Sequence, residues 1–239
     1  MSAPSPAGVD DGAAPAPGAH RRIRSYVLRQ GRHSAAAARA LVTLAPRYSL
    51  AWRGQPPDWR REFGRDAPLV LEIGFGTGST TAEIARAHPD ADFVAVDVYE
   101  RGVANLARLL DAAALGNVRI VRHDAVDVVA DMIAPSTLGG VHVYFPDPWP
   151  KKRHHKRRLL QPDFVHALAL RLRPGGYLHV ATDWQPYADE ILATCGAEPL
   201  LANTAAGFAP RPAWRPRTKF ESRGLALGHA VSDILFKRR

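Results

Sequence analysis

Four acidic residues recur through the middle of the chain at nearly even intervals. Glu72, Asp97, Asp124 and Asp147 are separated by 25, 27 and 23 residues, an interval that fits one strand, one helix and their connections. If each acid closes a strand, all four lie along one edge of a parallel sheet, where open α/β sheets bind ligands. Glu72 stands two residues before the first glycine of VLEIGFGTGST (70–80). Gly74, Gly76 and Gly78 permit a tight turn and let a ligand approach backbone N–H groups, and Ser79 or Thr80 could cap the helix that follows. The G-x-G-x-G spacing differs from the G-x-G-x-x-G of dinucleotide sites. A carboxylate at position 72 would repel a pyrophosphate but suit a ligand that carries positive charge, so nicotinamide oxidoreduction is disfavoured.

The last acid opens a second kind of chemistry. In VHVYFPDPWPKKRHHKRR (141–158) an apolar strand stops at a Pro-Asp-Pro-Trp turn and passes into Lys151, Lys152, Arg153, His154, His155, Lys156, Arg157 and Arg158. Six lysines and arginines in eight residues form a grip for phosphates, which sets the register of a nucleic acid without reading its bases. His154 and His155 have no cysteine or second histidine pair at ligand spacing, so they supplement the basic face and no metal site is expected. Trp149, Trp184, Tyr187 and Phe220 flank these positions. One or two of them could stack on an extruded base, the others being packing residues.

Positioning these residues requires alternating strands and helices. Apolar runs at 69–73, 93–96, 118–121, 141–145 and 177–181 read as strands. Helical spacing covers 82–87, 100–115, 126–133, 164–172 after Pro162, and 186–194. Arg173-Pro174-Gly175-Gly176 ends the fourth of these helices, a Pro-rich loop spans 203–216, and a closing strand lies near 230–236. The pattern specifies an α/β fold with a parallel sheet covered on both faces. Residues 1–19 are Pro, Ala, Gly and Ser with almost no bulky apolar side chain and read as a disordered tail. Residues 20–65 form a basic arm and lead-in, in which Ile23, Tyr26, Val27 and Leu28 read as an apolar anchor and the tryptophans as packing on the domain. The arm contacts nucleic acid or lies over its own domain, and residues 66–239 read as the main folded domain.

With 239 residues and a net charge of +9, the chain is long enough for one substantial core and suggests a polyanionic partner. Cys195 is the only cysteine, which excludes an intrachain disulfide. No apolar run reaches the roughly 18 residues that span a bilayer, and a cytoplasmic location is expected.

The pieces VYFPDPWPKKRHHKRRL (143–159), ATDW (181–184), TKFESRGLALGHAVSDILF (218–236) and IRSYVLRQGR (23–32) together resemble the single-chain bacterial tRNA (guanine-N7)-methyltransferase family, over about residues 20 to 239. The four acids and the glycine loop resemble class I S-adenosylmethionine-dependent methyltransferases more broadly. The resemblance implies a Rossmann-like seven-stranded, mostly parallel sheet with helices on both faces and a terminal antiparallel strand. It implies methyl transfer from S-adenosylmethionine to N7 of a variable-loop guanine, position 46 of tRNA. The product cofactor would be S-adenosylhomocysteine, with tRNA as partner, no membrane, no obligatory protein partner, and a monomer or homodimer. Carried over by position, Glu72, Gly74, Gly76, Gly78, Asp97, Asp124 and Asp147 become cofactor-side residues, with Asp147 also catalytic. Lys151, Asp183, Thr218, Lys219, Phe220 and Glu221 become substrate contacts, and Arg153 to Arg158 face the RNA. Asp97 stands where glutamate is common in that family. A class I methyltransferase with another target, or a non-catalytic RNA-binding protein on the same fold, are the competing readings.

The chemistry suits these residue types. Guanine N7 has a free lone pair in the neutral base, so no general base is needed. Holding N7 in line with the methyl donor is the task, and positioning of that kind removes several kcal/mol, at most about 7 to 11. A carboxylate fits, because guanine presents N1–H and N2–H2 donors and gains positive charge as the methyl arrives.

Overall fold

The computed structural model describes residues 23–27, 34–217, 221 and 230–239. Short apolar runs bounded by glycine, proline or acids form the strands, and the segments of helical spacing between them form the covering helices. Ahead of the sheet come α1 (Ala35–Thr43), α2 (Ala45–Tyr48) and α3 (Trp59–Phe63). The alternating part follows as β1 (Leu69–Ile73), α4 (Ser79–Ala87), β2 (Asp92–Val96), α5 (Glu100–Ala112), β3 (Val118–Val121), α6 (Ala125–Asp127) and β4 (Leu138–Tyr144). A 3-10 helix, Lys152–Arg157, leads to α7 (Pro162–Arg171), β5 (Leu172–Thr182), α8 (Gln185–Ala197), β6 (Leu201–Asn203) and β7 (Ser232–Arg238).

The seven strands are ordered β3-β2-β1-β4-β5-β7-β6. β1 to β5 run parallel, and β7 is antiparallel to both β5 and β6. The chain moves outward from β1 through β2 to β3 and then returns to place β4 on the other side of β1. This reversal opens a crevice at the carboxyl ends of β1 and β4. Strand alternation builds two cores. Leu71, Val94, Val141 and Val180 face Leu168, Tyr187 and Ile191 of α7 and α8, while Val70, Phe93, Ala95 and Ile120 face Ile84, Leu106, Leu110 and Tyr48 of α4, α5 and α2. Tyr48 and Ala45 are buried there, and the Leu50 N–H donates to the Ile120 carbonyl at 2.8 Å. Residues 45–50 are therefore part of the folded unit.

Three differences from the sequence reading have local causes. The helix expected over 126–133 is α6 followed by a π-helical turn, Val128–Met132. Carbonyls of that wide turn accept from the Arg171 guanidinium, whose Nε reaches the carbonyls of Val129 (3.1 Å) and Ile133 (2.7 Å). Arg173-Pro174-Gly175-Gly176 ends α7 but belongs to β5, which begins at Leu172 through a register shift against β4. A Cβ at Gly176 would lie 2.9 Å from the Leu138 and Arg173 carbonyl oxygens, so glycine permits the backbones to close there. β6 has three residues at the sheet edge, too few to show a period.

Candidate active site and nucleic-acid interface

Strand register brings the expected acids to one edge. Ile73 pairs with Val96 on one side and Val143 on the other, and Val143 pairs with Val180. Glu72, near the end of β1, and Asp97, Asp147 and Asp183, just past β2, β4 and β5, therefore lie at adjacent strand ends, with Asp124 one strand further out after β3.

Glu72 is 3% exposed, and its Oε2 has no hydrogen-bond partner. Burial pushes its carboxyl up to about 7, the nearby Asp97 charge adds to the rise, and the Thr81 hydroxyl opposes it. An orphaned buried carboxylate is costly unless a cation joins it. Asp97 fastens the glycine loop: its Oδ2 accepts from Gly76 N–H at 2.8 Å and its Oδ1 from Tyr99 N–H at 2.9 Å. Burial raises the Asp97 pKa as well, against these backbone donors. Gly74, Gly76 and Gly78 take φ of 78°, 57° and 75°, the left-handed region that favours glycine. Beyond Gly74 and Gly76 there is open space where a side chain would sit, whereas Gly102 of α5 packs so closely that a Cβ would lie 2.0 Å from the Gly76 oxygen. The expected Ser79 or Thr80 cap is not formed, because Gly78 occupies the N-cap position with no side-chain bond. Asp124 is buried and caps α6, accepting from Val126 N–H at 3.0 Å.

The Pro-Asp-Pro-Trp turn is bracketed by two bulky residues in left-handed conformation, Phe145 at φ 52° and Trp149 at φ 45°. Such residues cost on the order of 1–3 kcal/mol each and concentrate at functional turns. Asp147 is exposed. Its Oδ1 accepts from Trp149 N–H at 3.0 Å, and among the described residues its Oδ2 carries no hydrogen bond. The Trp149 ring is held from three sides: Nε1 donates to the Ser25 carbonyl at 3.2 Å, Arg157 lies 5.0 Å above the ring, and His154 meets it edge-on at 5.9 Å. Residues 23–27, the described part of the basic arm, thus meet the Pro-Asp-Pro-Trp turn through Ser25. Ile23 and Val27, expected as anchors, are 48% and 58% exposed.

Lys151, Lys152, Arg153 and Lys156 are exposed, with His154, His155 and Arg157 half-buried. Arg158 is different and corrects the reading of a uniform run. It is 4% exposed. Its guanidinium pairs with Glu190, donates from Nε to the Pro148 carbonyl at 2.9 Å and lies 4.7 Å above the Tyr187 ring. Arg158 secures the turn from inside, and its side chain is 2% exposed. Tyr187 is buried and accepts from Leu160 N–H at 3.2 Å, which makes it a packing residue. Trp184, at 38% exposed, keeps an accessible ring beside exposed Asp183. Glu221 is 4% exposed, with both carboxylate oxygens bonded to Arg215 at 2.6 and 3.0 Å. Thr218, Lys219 and Phe220 lie outside the described residues. Sequence reasoning missed Arg215, Asp233, His179 and Tyr144, which bond in sequence behind Glu221. The visible signal is polar residues at alternate positions of strands otherwise apolar: His142 and Tyr144 on β4, Tyr177 and His179 on β5.

A protein of Paraburkholderia xenovorans named tRNA (guanine-N(7)-)-methyltransferase is 57% identical over 236 residues, 98% of this chain and 90% of that protein. The chain belongs to the tRNA (guanine-N(7)-)-methyltransferase family. A relative of the same name from Bordetella pertussis is 58% identical over 222 residues, 93% of this chain and 87% of the relative. A family model described as putative methyltransferase matches residues 66–234. Among solved structures, the 16S rRNA methyltransferase KamB superposes with a TM-score of 0.57 at 19% identity, covering 77% of this chain and 95% of its own. TrmN from Thermus thermophilus gives 0.52 at 18% identity over 75% of this chain and 46% of its own. These two likenesses bear on the fold alone, a Rossmann-like sheet, here of seven strands with β7 antiparallel. No helix among the described residues is long and apolar enough to cross a membrane.

Proposed function

We propose that the chain transfers the methyl group of S-adenosylmethionine to N7 of a guanine in tRNA, giving 7-methylguanosine, with the variable-loop guanine as target. The observation that carries this reading is Glu72, a buried carboxylate with an unpartnered oxygen beside an open glycine loop, in a chain 57% identical to a tRNA (guanine-N(7)-)-methyltransferase. The donor set fits a cationic cofactor without phosphate: Glu72 and the glycine loop for its methionine end, Asp97 for ribose hydroxyls, Asp124 for the adenine amino group. When bound, the cofactor supplies an electrophilic methyl on a sulfonium.

The chain's own residues then have a positioning task. N7 carries a lone pair and no proton, so Asp147 has nothing to abstract. Its exposed carboxylate accepts from the guanine N–H donors, sets the angle of the ring and balances the positive charge that develops on it. The left-handed Phe145 and Trp149 hold that carboxylate clear of the strand end, and Arg158 buttresses the turn at the Pro148 carbonyl. Lys151 through Arg157 and the arm docked by Ser25 line the same rim, where they meet the RNA backbone and deliver the base. Trp184 is the accessible ring for stacking it.

A transcript carrying 7-deazaguanosine, in which C–H replaces N7, tests the reading. It should bind as the unmodified transcript does and accept no methyl group. Methyl incorporation into the 7-deaza transcript would place the reaction at another atom.

A further inference from the structure

A chain of buried polar contacts runs across the sheet on the face shared by Glu72. Tyr144 on β4 meets His179 Nδ1 on β5 at 3.1 Å, and His179 Nε2 meets Asp233 Oδ1 on β7 at 2.8 Å. An acid on Nε2 makes that nitrogen the donor, which leaves Nδ1 to accept the Tyr144 phenol. Asp233 then takes Arg215 through Nε at 2.7 Å and Nη2 at 2.9 Å, and Arg215 holds both oxygens of Glu221. Trp214 covers the chain, edge-on to His179 at 5.9 Å. Arg215 is 1% exposed, and His179, Asp233 and Glu221 are all at or below 4%.

Burying one arginine between two carboxylates is a poor way to gain stability, because desolvation consumes the Coulombic attraction and apolar replacements often do as well. It does fix geometry. The planar guanidinium makes forked bonds to two acids at once, a task a lysine ammonium cannot reproduce. One of those acids is anchored in the sheet and the other ends the T-K-F-E motif at 218–221. We infer that Arg215 is a positioning residue for the tRNA substrate: clamped to Asp233 on β7, it fixes Glu221 at the substrate-facing edge of the crevice. This rests on reading that motif as a substrate contact.

The test compares Arg215→Lys, Asp233→Asn, Glu221→Gln and the Arg215→Lys/Glu221→Gln double variant. Each is measured for thermal midpoint, S-adenosylmethionine affinity, and kcat and KM for a tRNA transcript. Arg215→Lys should lower kcat/KM for tRNA by about tenfold or more through KM, the range expected for partners in one ion-pair network. Cofactor affinity should stay within about twofold, and the double variant should be no worse than Glu221→Gln alone, as expected when one residue acts through the other. If Arg215→Lys does not fold, Asp233→Asn, which keeps the Arg215–Glu221 pair but loosens it from β7, decides by the same KM criterion. Losses that add in the double variant, or a folded Arg215→Lys with unchanged tRNA kinetics, would overturn the inference alone. Unchanged tRNA kinetics in Glu221→Gln would overturn both the inference and the reading of the motif beneath it.

Discussion

Replacing Glu72 with Gln removes a charge that the folded protein without cofactor is poorly built to hold. Burial raises the carboxyl from 4.5 to about 7, which corresponds to about 3 kcal/mol against the ionised form. The sign follows from proton binding. Between these two values the folded chain holds a proton that the unfolded chain has released, so stability is greatest below 4.5, falls as pH rises, and reaches its full loss above about 7. Glutamine does not titrate. The melting temperature of Glu72→Gln minus that of the wild type should therefore grow between about pH 5 and pH 8, by roughly 6–12 °C if 1 kcal/mol moves a chain of this size by about 2–4 °C. Taking the difference cancels the titrating groups that do not interact with Glu72. Calorimetric scans at the two pH values, without and with S-adenosylmethionine, provide the assay. The wild type should bind the cofactor more tightly as pH rises through about 7, and the variant should bind weakly with no such trend. The more stable variant would then be the less active one, the trade that strained sites impose. Parallel melting of the two proteins across that pH range, or equal cofactor affinity at its upper end, would refute the argument.

Asp147→Asn keeps the bond to the Trp149 N–H but loses the charge. It should lower kcat by about 100- to 1000-fold, the range for removing one charge-stabilising group, with cofactor affinity unchanged in titration. Neutralising Lys151, Lys152, Arg153 and Lys156 together should weaken tRNA binding. Filter-binding isotherms at several salt concentrations should show a log-log slope flatter by about 0.7–0.9 for each phosphate that is no longer neutralised. Arg158→Leu should behave in the opposite way. It should lower stability by about 1–3 kcal/mol in a denaturant titration, because the charged hydrogen bonds and the packing on the Tyr187 ring go with the guanidinium, while leaving the salt slope as in the wild type.

How much of this could be read from the chain depended on how local the cause was. Glu72, Asp97, Asp124 and Asp147 were legible because strand–helix units have a narrow length range, and the sheet register places them where their spacing implied. The burial of Arg158 was not legible in the same way. Nothing in KKRHHKRR separates the last arginine from its neighbours, and the residues that bury it, Glu190 and Tyr187, arrive from α8 about thirty positions later. Arg215, Asp233, His179 and Tyr144 come from a loop and three strands, so no window of sequence contains their network. The π-helical turn was missed because its apolar pattern is helical, and Arg171 supplies the donors from a different helix.

Digestion of a methylated tRNA to nucleosides, followed by mass spectrometry with labelled S-adenosylmethionine as donor, tests the central claim most directly. The purified chain acting on an unmodified transcript should place the label in 7-methylguanosine, at one residue per tRNA and in the variable loop. Label in any other nucleoside, or a transcript that stays unlabelled while the protein binds both cofactor and RNA, would contradict the account.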